Sequence, residues 1–131
     1  MDQISFYAAK LAYEIDAADL KAALDDGENI VVIDARSADA FGREHIPSAI
    51  SLPHRVMDAT TTAHLSREAV YVSYCDGIGC NASTKGALKL AQLGFTVKEL
   101  QGGLDWWKRD GLATITPTGN RVDEAAIACG C

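Results

Sequence analysis

With 131 residues and a net charge of −6 at neutral pH, the chain has the length of one ordinary domain, able to bury a core without disulfide or metal staples. The acidic balance excludes nucleic acid and anionic membrane as main partners, because the average field repels both. A small anion stays open as a ligand, since a cradle of backbone N–H groups acts at contact distance.

The four cysteines, Cys75, Cys80, Cys129 and Cys131, sit in one loop and at the end of the chain rather than spread out as in a secreted disulfide scaffold. The opening "MDQISFYAAKLAYEID" lacks the long apolar core of a signal peptide or membrane span. The expected compartment is the cytoplasm.

In chain order, Ile4, Tyr7, Ala8 and Leu11 at helical spacing predict a short helix over residues 1–12, packed on the outside of the domain. "AYEI" reads as a short edge strand. Asp16 then caps "AADLKAALDD", which stops at Gly27 in the position favoured for a left-handed cap. "NIVVIDA" is a near-continuous apolar run, the mark of a strand buried on both faces. In "RSADAFGREHIPSAISLP", Ser37 caps a short helix and Pro47 breaks any continuation before the strand "AISL". "AVYVSY" is a second buried strand, "STKGALKLAQLGF" a helix stopped by Gly94, and "TVKEL" a third core strand. "QGGLDWWKRDG" gives a glycine turn and a short helix. Beyond it the pattern fades, and residues 113–131 read as a partly mobile tail. Strands alternating with helices imply a mainly parallel sheet covered on both faces in a single domain, 1–131, with its core over about 14–112.

The chemistry concentrates where "VYVSY" ends. Cys75 lies just past the carboxyl end of a core strand, where ligands of open α/β sheets bind. The loop that follows, Asp76, Gly77, Ile78, Gly79, Cys80 and Asn81, has two glycines able to take positive φ and no Lys or Arg before Lys85. It is expected to cradle an anion with backbone N–H groups, helped by the positive end of the helix starting near Ser83. Asp76 opposes a thiolate if it points inward and is expected to face solvent. A helix terminus supplies only about 0.3 to 1 kcal/mol, so several N–H bonds to sulfur are needed to activate the thiol. The competing reading of Cys75 is a small buried hydrophobe ending a strand.

Several separated segments, "VVIDARS", "FGREHIPSAISLP", "VYVSYCDGIGCN" and "LAQLGFTVKELQGGLDWW", together resemble the rhodanese family over most of the chain. The resemblance implies a three-layer α/β fold with a five-stranded, mainly parallel sheet and helices on both faces. It also implies a sulfurtransferase whose active-site cysteine, here Cys75, accepts sulfane sulfur as a persulfide. The donor would be a small anion such as thiosulfate, or a protein persulfide, and the acceptor a thiol or cyanide, with no cofactor. Asp34 and Arg36 match the family's aspartate-x-arginine, and His45, Ile46, Pro47 and Ala49 its "HIPGA" segment, in structural rather than catalytic roles. The chain departs from the family in two ways. Cys80 stands about where an arginine is common, and the loop is about two residues longer. A longer loop suits the phosphate of related phosphatases, but without a clamping arginine phosphatase activity is disfavoured.

Cys80 is a candidate resolving thiol for Cys75, with Cys129 and Cys131 next in line, and this supports an alternative reading as a non-catalytic binding or redox-sensing module. C-x4-C followed much later by C-x-C is not a usual zinc spacing, so no metal is expected. His45 fits a structural turn, and His54 and His64 sit in a polar connector. Arg36, Arg43 and Arg55 are candidates for an anion-attracting rim. Trp106 and Trp107 cannot share a helix face, so one is expected in the core and the other is a candidate for the active-site mouth.

Overall fold

The computed structural model describes residues 1–121. Short polar side chains start the first three helices. The carboxylates of Asp2 and Asp16 accept from the N–H groups of Ser5 (2.7 Å) and Asp19 (2.8 Å), and Ser37 Oγ accepts from Ala40 N–H (3.2 Å). Each bond satisfies a donor that the helix itself leaves orphaned. The helices that follow are α1 (Gln3–Tyr13), α2 (Ala17–Asp25) and α3 (Ala38–Arg43).

The apolar runs form β1 (Glu14–Ile15), β2 (Ile30–Asp34), β3 (Ile50–Ser51), β4 (Val70–Tyr74) and β5 (Thr96–Leu100). They make one sheet in the order β1-β5-β4-β2-β3, parallel throughout. β4 is the middle strand, paired from Val70 to Tyr74 with β2 and from Val70 to Ser73 with β5. Alternate side chains feed two cores. Val32, Val72 and Tyr74 pack with Ala17 and Leu20 of α2 and with Leu104 and Trp107 of α5 (Gly103–Arg109). Ile33 and Tyr71 pack on the other face with Leu52, Met57, Phe95 and Leu90, the last from α4 (Ala82–Gln92). The result is the three-layer arrangement, with each sheet face buried against helices.

The structure adds detail to two expectations about elements, α1 and the segment before Pro47, and corrects two, β5 and residues 114–121. α1 forms, but it buries no residue, and Ile4, Tyr7 and Leu11 are exposed. β5 lies inside the sheet, yet only Leu100 is buried, because its outer neighbour β1 is two residues long and covers little of it. α3 already stops short of Pro47. The helix stops at Arg43, the chain turns extended at Glu44 (φ −169°, ψ 135°), and His45 exchanges backbone hydrogen bonds with Ile115. Ile115 belongs to an antiparallel hairpin, β6 (Thr114–Thr116) and β7 (Gly119–Arg121), so residues 114–121 are structured rather than tail. Cys129 and Cys131 lie outside the described residues. Among the described residues no helix is long and apolar enough to cross a membrane.

Candidate active site

The chain leaves β2 toward β3 on one side of the sheet and leaves β4 toward β5 on the other, so a crevice opens past the carboxyl ends of these neighbouring strands. Cys75 follows the last residue of β4 and is 1% exposed. Its backbone is fixed from the opposite side. Leu104 N–H donates to the Cys75 carbonyl (2.9 Å) and Asp105 N–H to the Asp76 carbonyl (2.8 Å), so the first donors of α5 are satisfied by the loop itself. This docking requires Gly103. It has φ +55°, and a Cβ there would stand 2.3 Å from the Cys75 carbonyl oxygen.

The loop then turns back on itself. Gly79 takes φ +90°, Cys80 N–H donates to the Gly77 carbonyl (3.2 Å), and Cys80 is joined to Cys75 by a disulfide, with Cα atoms 6.2 Å apart. That separation lies within the span a disulfide tolerates. Of the two glycines able to take positive φ, only Gly79 does so, and Gly77 does not. It is confined instead by proximity, since a Cβ would meet Asp105 Cβ at 3.1 Å. With Cys80 N–H spent on the turn, the loop in this disulfide form is not an open cradle. Asn81 caps α4 without a side-chain hydrogen bond.

Behind the loop lies a buried polar network. Arg36 donates to both oxygens of Asp34 (Nη2–Oδ2 2.7 Å, Nε–Oδ1 3.0 Å), to Asp76 Oδ1 (2.9 Å) and to the Glu44 carbonyl (2.6 Å). Tyr74 hydroxyl donates to Asp34 Oδ2 (2.9 Å) and accepts from Ile46 N–H (3.1 Å). Burial works against the Arg36 charge, but the hydrogen bonds and charge of Asp34, with Asp76 adding, outweigh it and push its pKa up. Burial, then the Asp34 charge, pushes the Tyr74 phenol far above its usual value, so it stays protonated. Asp34 and Arg36 therefore tie the ends of β2, α3 and β4 to the loop. Asp76 is 72% exposed, facing solvent as expected, yet it is also the handle by which Arg36 holds the loop. His45 is engaged within the protein: Nδ1 lies 2.8 Å from the Phe41 carbonyl and the ring stacks on Phe41.

In front of the loop is a cleft of about 500 Å³ lined by Cys75, Gly77, Ile78, Cys80 and Ser83, by Trp106, and by Lys10, Glu14 and Glu99. Trp107 is in the core (2% exposed), its Nε1 donating to the Ala113 carbonyl (2.9 Å), while Trp106, 41% exposed, stands at the cleft. None of the three candidate rim arginines lines this cleft. Arg36 is buried, Arg36 and Arg43 border a separate pocket of about 300 Å³ on the other side of the loop, and Arg55 is exposed on the short 3-10 turn His54–Val56. His54 is also away from the cleft, its pKa lowered by burial and by Lys85, Lys89 and Arg55. Lys10, Glu14 and Glu99 carried no signal in the sequence, because they reach the cleft from α1, β1 and β5, and only the strand order brings them together. Ligand atoms of Cys75, Asp76 and Cys80 lie within 4.8 Å of one another, but the disulfide occupies both sulfurs and Arg36 the carboxylate.

A parallel sheet with a cysteine at the end of its middle strand, in a loop held from behind by an Asp-x-Arg pair, defines a recognisable class. A family model described as "Rhodanese-like domain" matches residues 16–110, and the chain belongs to that family. Among curated proteins, a protein of Allochromatium vinosum named "Sulfurtransferase" is 30% identical over 107 residues, covering 81% of this chain and 97% of its own. The "Thiosulfate sulfurtransferase GlpE" of Pseudomonas savastanoi pv. phaseolicola is 31% identical over 83 residues, 62% of this chain and 74% of its own. A crystal structure of a Bacillus halodurans protein superimposes with a TM-score of 0.84 at 44% identity, covering 88% of this chain and 85% of that one.

Proposed function

We propose that this chain is a cytoplasmic sulfurtransferase that carries sulfane sulfur as a persulfide on Cys75. The observation that carries the reading is the position of Cys75, at the end of the middle strand and on the wall of a cleft that a substrate can fill. In the reduced protein the Cys75 thiolate attacks the outer sulfur of thiosulfate, that S–S bond breaks with its electrons leaving on sulfite, and Cys75-S-SH remains. A protein persulfide donor reacts in the same way and leaves as a thiolate. An acceptor thiolate or cyanide then takes the outer sulfur and returns Cys75 to thiolate. In that reduced state the N–H groups of residues 76–81, freed from the closed turn, and the N-terminus of α4 stabilise the sulfur-centred charge. Measuring sulfur transfer to cyanide by the reduced chain and by Cys75→Ser tests this. Transfer that persists in the Ser variant overturns it.

The second reading is a thiol redox module, favoured by the Cys75–Cys80 disulfide. A sulfenic acid on Cys75 attacked by Cys80 would lose water and give this bond, protecting Cys75 from further oxidation. Peroxide treatment followed by non-reducing peptide mapping tests it. If Cys75 goes to sulfinic acid as fast in wild type as in Cys80→Ser, Cys80 has no resolving role. A phosphatase reading has no support in the loop, which holds no arginine to meet a phosphoryl charge.

A further inference from the structure

Resting on the persulfide reading, the geometry points to the donor. We infer that the cleft takes sulfur from a cysteine persulfide in a protein segment with positively charged residues beside that cysteine, in preference to thiosulfate.

β1 and β5 pair in register so that Glu14 and Glu99 are direct neighbours on adjacent strands, and both line the Cys75 cleft. Like charges placed opposite one another weaken a sheet unless one of them is neutralised. Glu14 is held below the usual carboxylate range, first by the hydrogen bond from Gln101 and, against the opposing effect of burial, by Lys10. It is anionic at neutral pH, and Lys10 Nζ at 3.0 Å neutralises it. Glu99 Oε2 accepts the hydroxyls of Ser83 and Thr84, which carry no charge, and among the described residues it forms no ion pair. The cleft is left with an uncompensated carboxylate on the wall that also carries Cys75. A thiosulfate dianion is repelled there, whereas a lysine or arginine beside the donor cysteine is attracted.

The surroundings fit a chain rather than a small molecule. Ile78 and Trp106 stand exposed at the cleft. The same three residues, Lys10, Glu14 and Glu99, also wall an adjoining groove of about 890 Å³ between α1 and α4, lined by Phe6, Tyr13 and Leu88. A donor segment with its persulfide at Cys75 and its basic residue at Glu99 continues into this groove with an apolar side chain. This occupant also accounts for Leu88, which is 58% exposed on α4.

The experiment uses the reduced full-length chain with three donors: thiosulfate, a cysteine-persulfide peptide flanked by two lysines and an apolar residue, and the same peptide with glutamates for lysines. Sulfur on Cys75 is followed by mass spectrometry. In wild type the lysine peptide is expected to load about tenfold or more faster than the glutamate peptide, with its rate falling as salt is added and the thiosulfate rate rising. Glu99→Gln, which keeps an oxygen to accept from Ser83 and Thr84, is expected to raise the thiosulfate rate and lower the lysine-peptide rate, each by about three- to tenfold. Leu88→Lys, on the helix surface, is expected to raise KM for the lysine peptide only.

Equal rates for the two peptides, or thiosulfate loading fastest with no rise in salt, overturns this inference and leaves the persulfide reading standing. Absence of sulfur on Cys75 from all three donors overturns both. The wild-type salt dependence stands independently of whether the variants fold.

Discussion

The two sides of the Cys75 loop differ in what their charges do. Behind it, Arg36 meets Asp34, Asp76 and the Glu44 carbonyl, and its charge is spent on partners within the protein. In front, the carboxylates of Glu14 and Glu99 face an open cleft. The rear holds the loop by a closed set of bonds and the front is open, so Arg36, which the sequence offers both as a rim candidate and as part of a structural Asp-x-Arg motif, makes its contacts within the protein. Buried charge tolerates no loss of its partner, while exposed charge tolerates exchange.

That contrast can be broken in several ways. The largest effect is expected at the front, where Cys75→Ser should reduce sulfur transfer to the background rate, about a thousandfold or more, with the melting curve of the reduced wild-type chain. At the rear, Asp34→Ala removes the buried carboxylate of Arg36 and leaves its guanidinium only the exposed Asp76 as a charged partner, which should cost about 3 to 5 kcal/mol in urea unfolding. Asp76→Asn should cost about 1 kcal/mol or less, because that carboxylate is mostly in water. Equal costs would erase the distinction.

The tryptophans give the same contrast in apolar form. Trp107→Ala should cost about 3 to 5 kcal/mol, whereas Trp106→Ala should leave stability nearly unchanged and raise KM for the donor. The rear network also has a pH signature. The folded-state pKa of Tyr74 is raised, so its contribution is fully present below the unfolded value and is lost as pH rises above about 10. Stability measured across that range should fall more steeply in wild type than in Tyr74→Phe. The smallest effect concerns Ser48, which takes φ 70° where the rhodanese "HIPGA" segment has glycine. Ser48→Gly should stabilise the chain by about 0.5 to 1 kcal/mol in the same assay.

The strands and helix starts were legible in the sequence because local rules set them. "NIVVIDA" and "AVYVSY" are apolar beyond what a one-sided strand needs, and Asp16 and Ser37 stand where a cap is required. Cys75 was legible for the same reason, as a reactive residue type at a strand end. The use of the flanking residues was not. That Arg36 reaches past Asp34 to Asp76 joins residues 40 positions apart in sequence, and Glu99 reaches the cleft only because β5 lies between β1 and β4. The hairpin at 114–121 leaves no sequence signal because its strands are three residues each and are anchored by His45 rather than by their own apolar pattern.

The account rests on Cys75 as the carrier of sulfur. The most direct measurement reduces the full chain, incubates it with a sulfane donor, removes the donor and maps the peptides by mass spectrometry under conditions that preserve persulfides. The account predicts one additional sulfur atom on the peptide containing Cys75, lost on adding cyanide with an equal amount of thiocyanate formed. Sulfur found only on Cys80, Cys129 or Cys131, or on no cysteine at all, would contradict it.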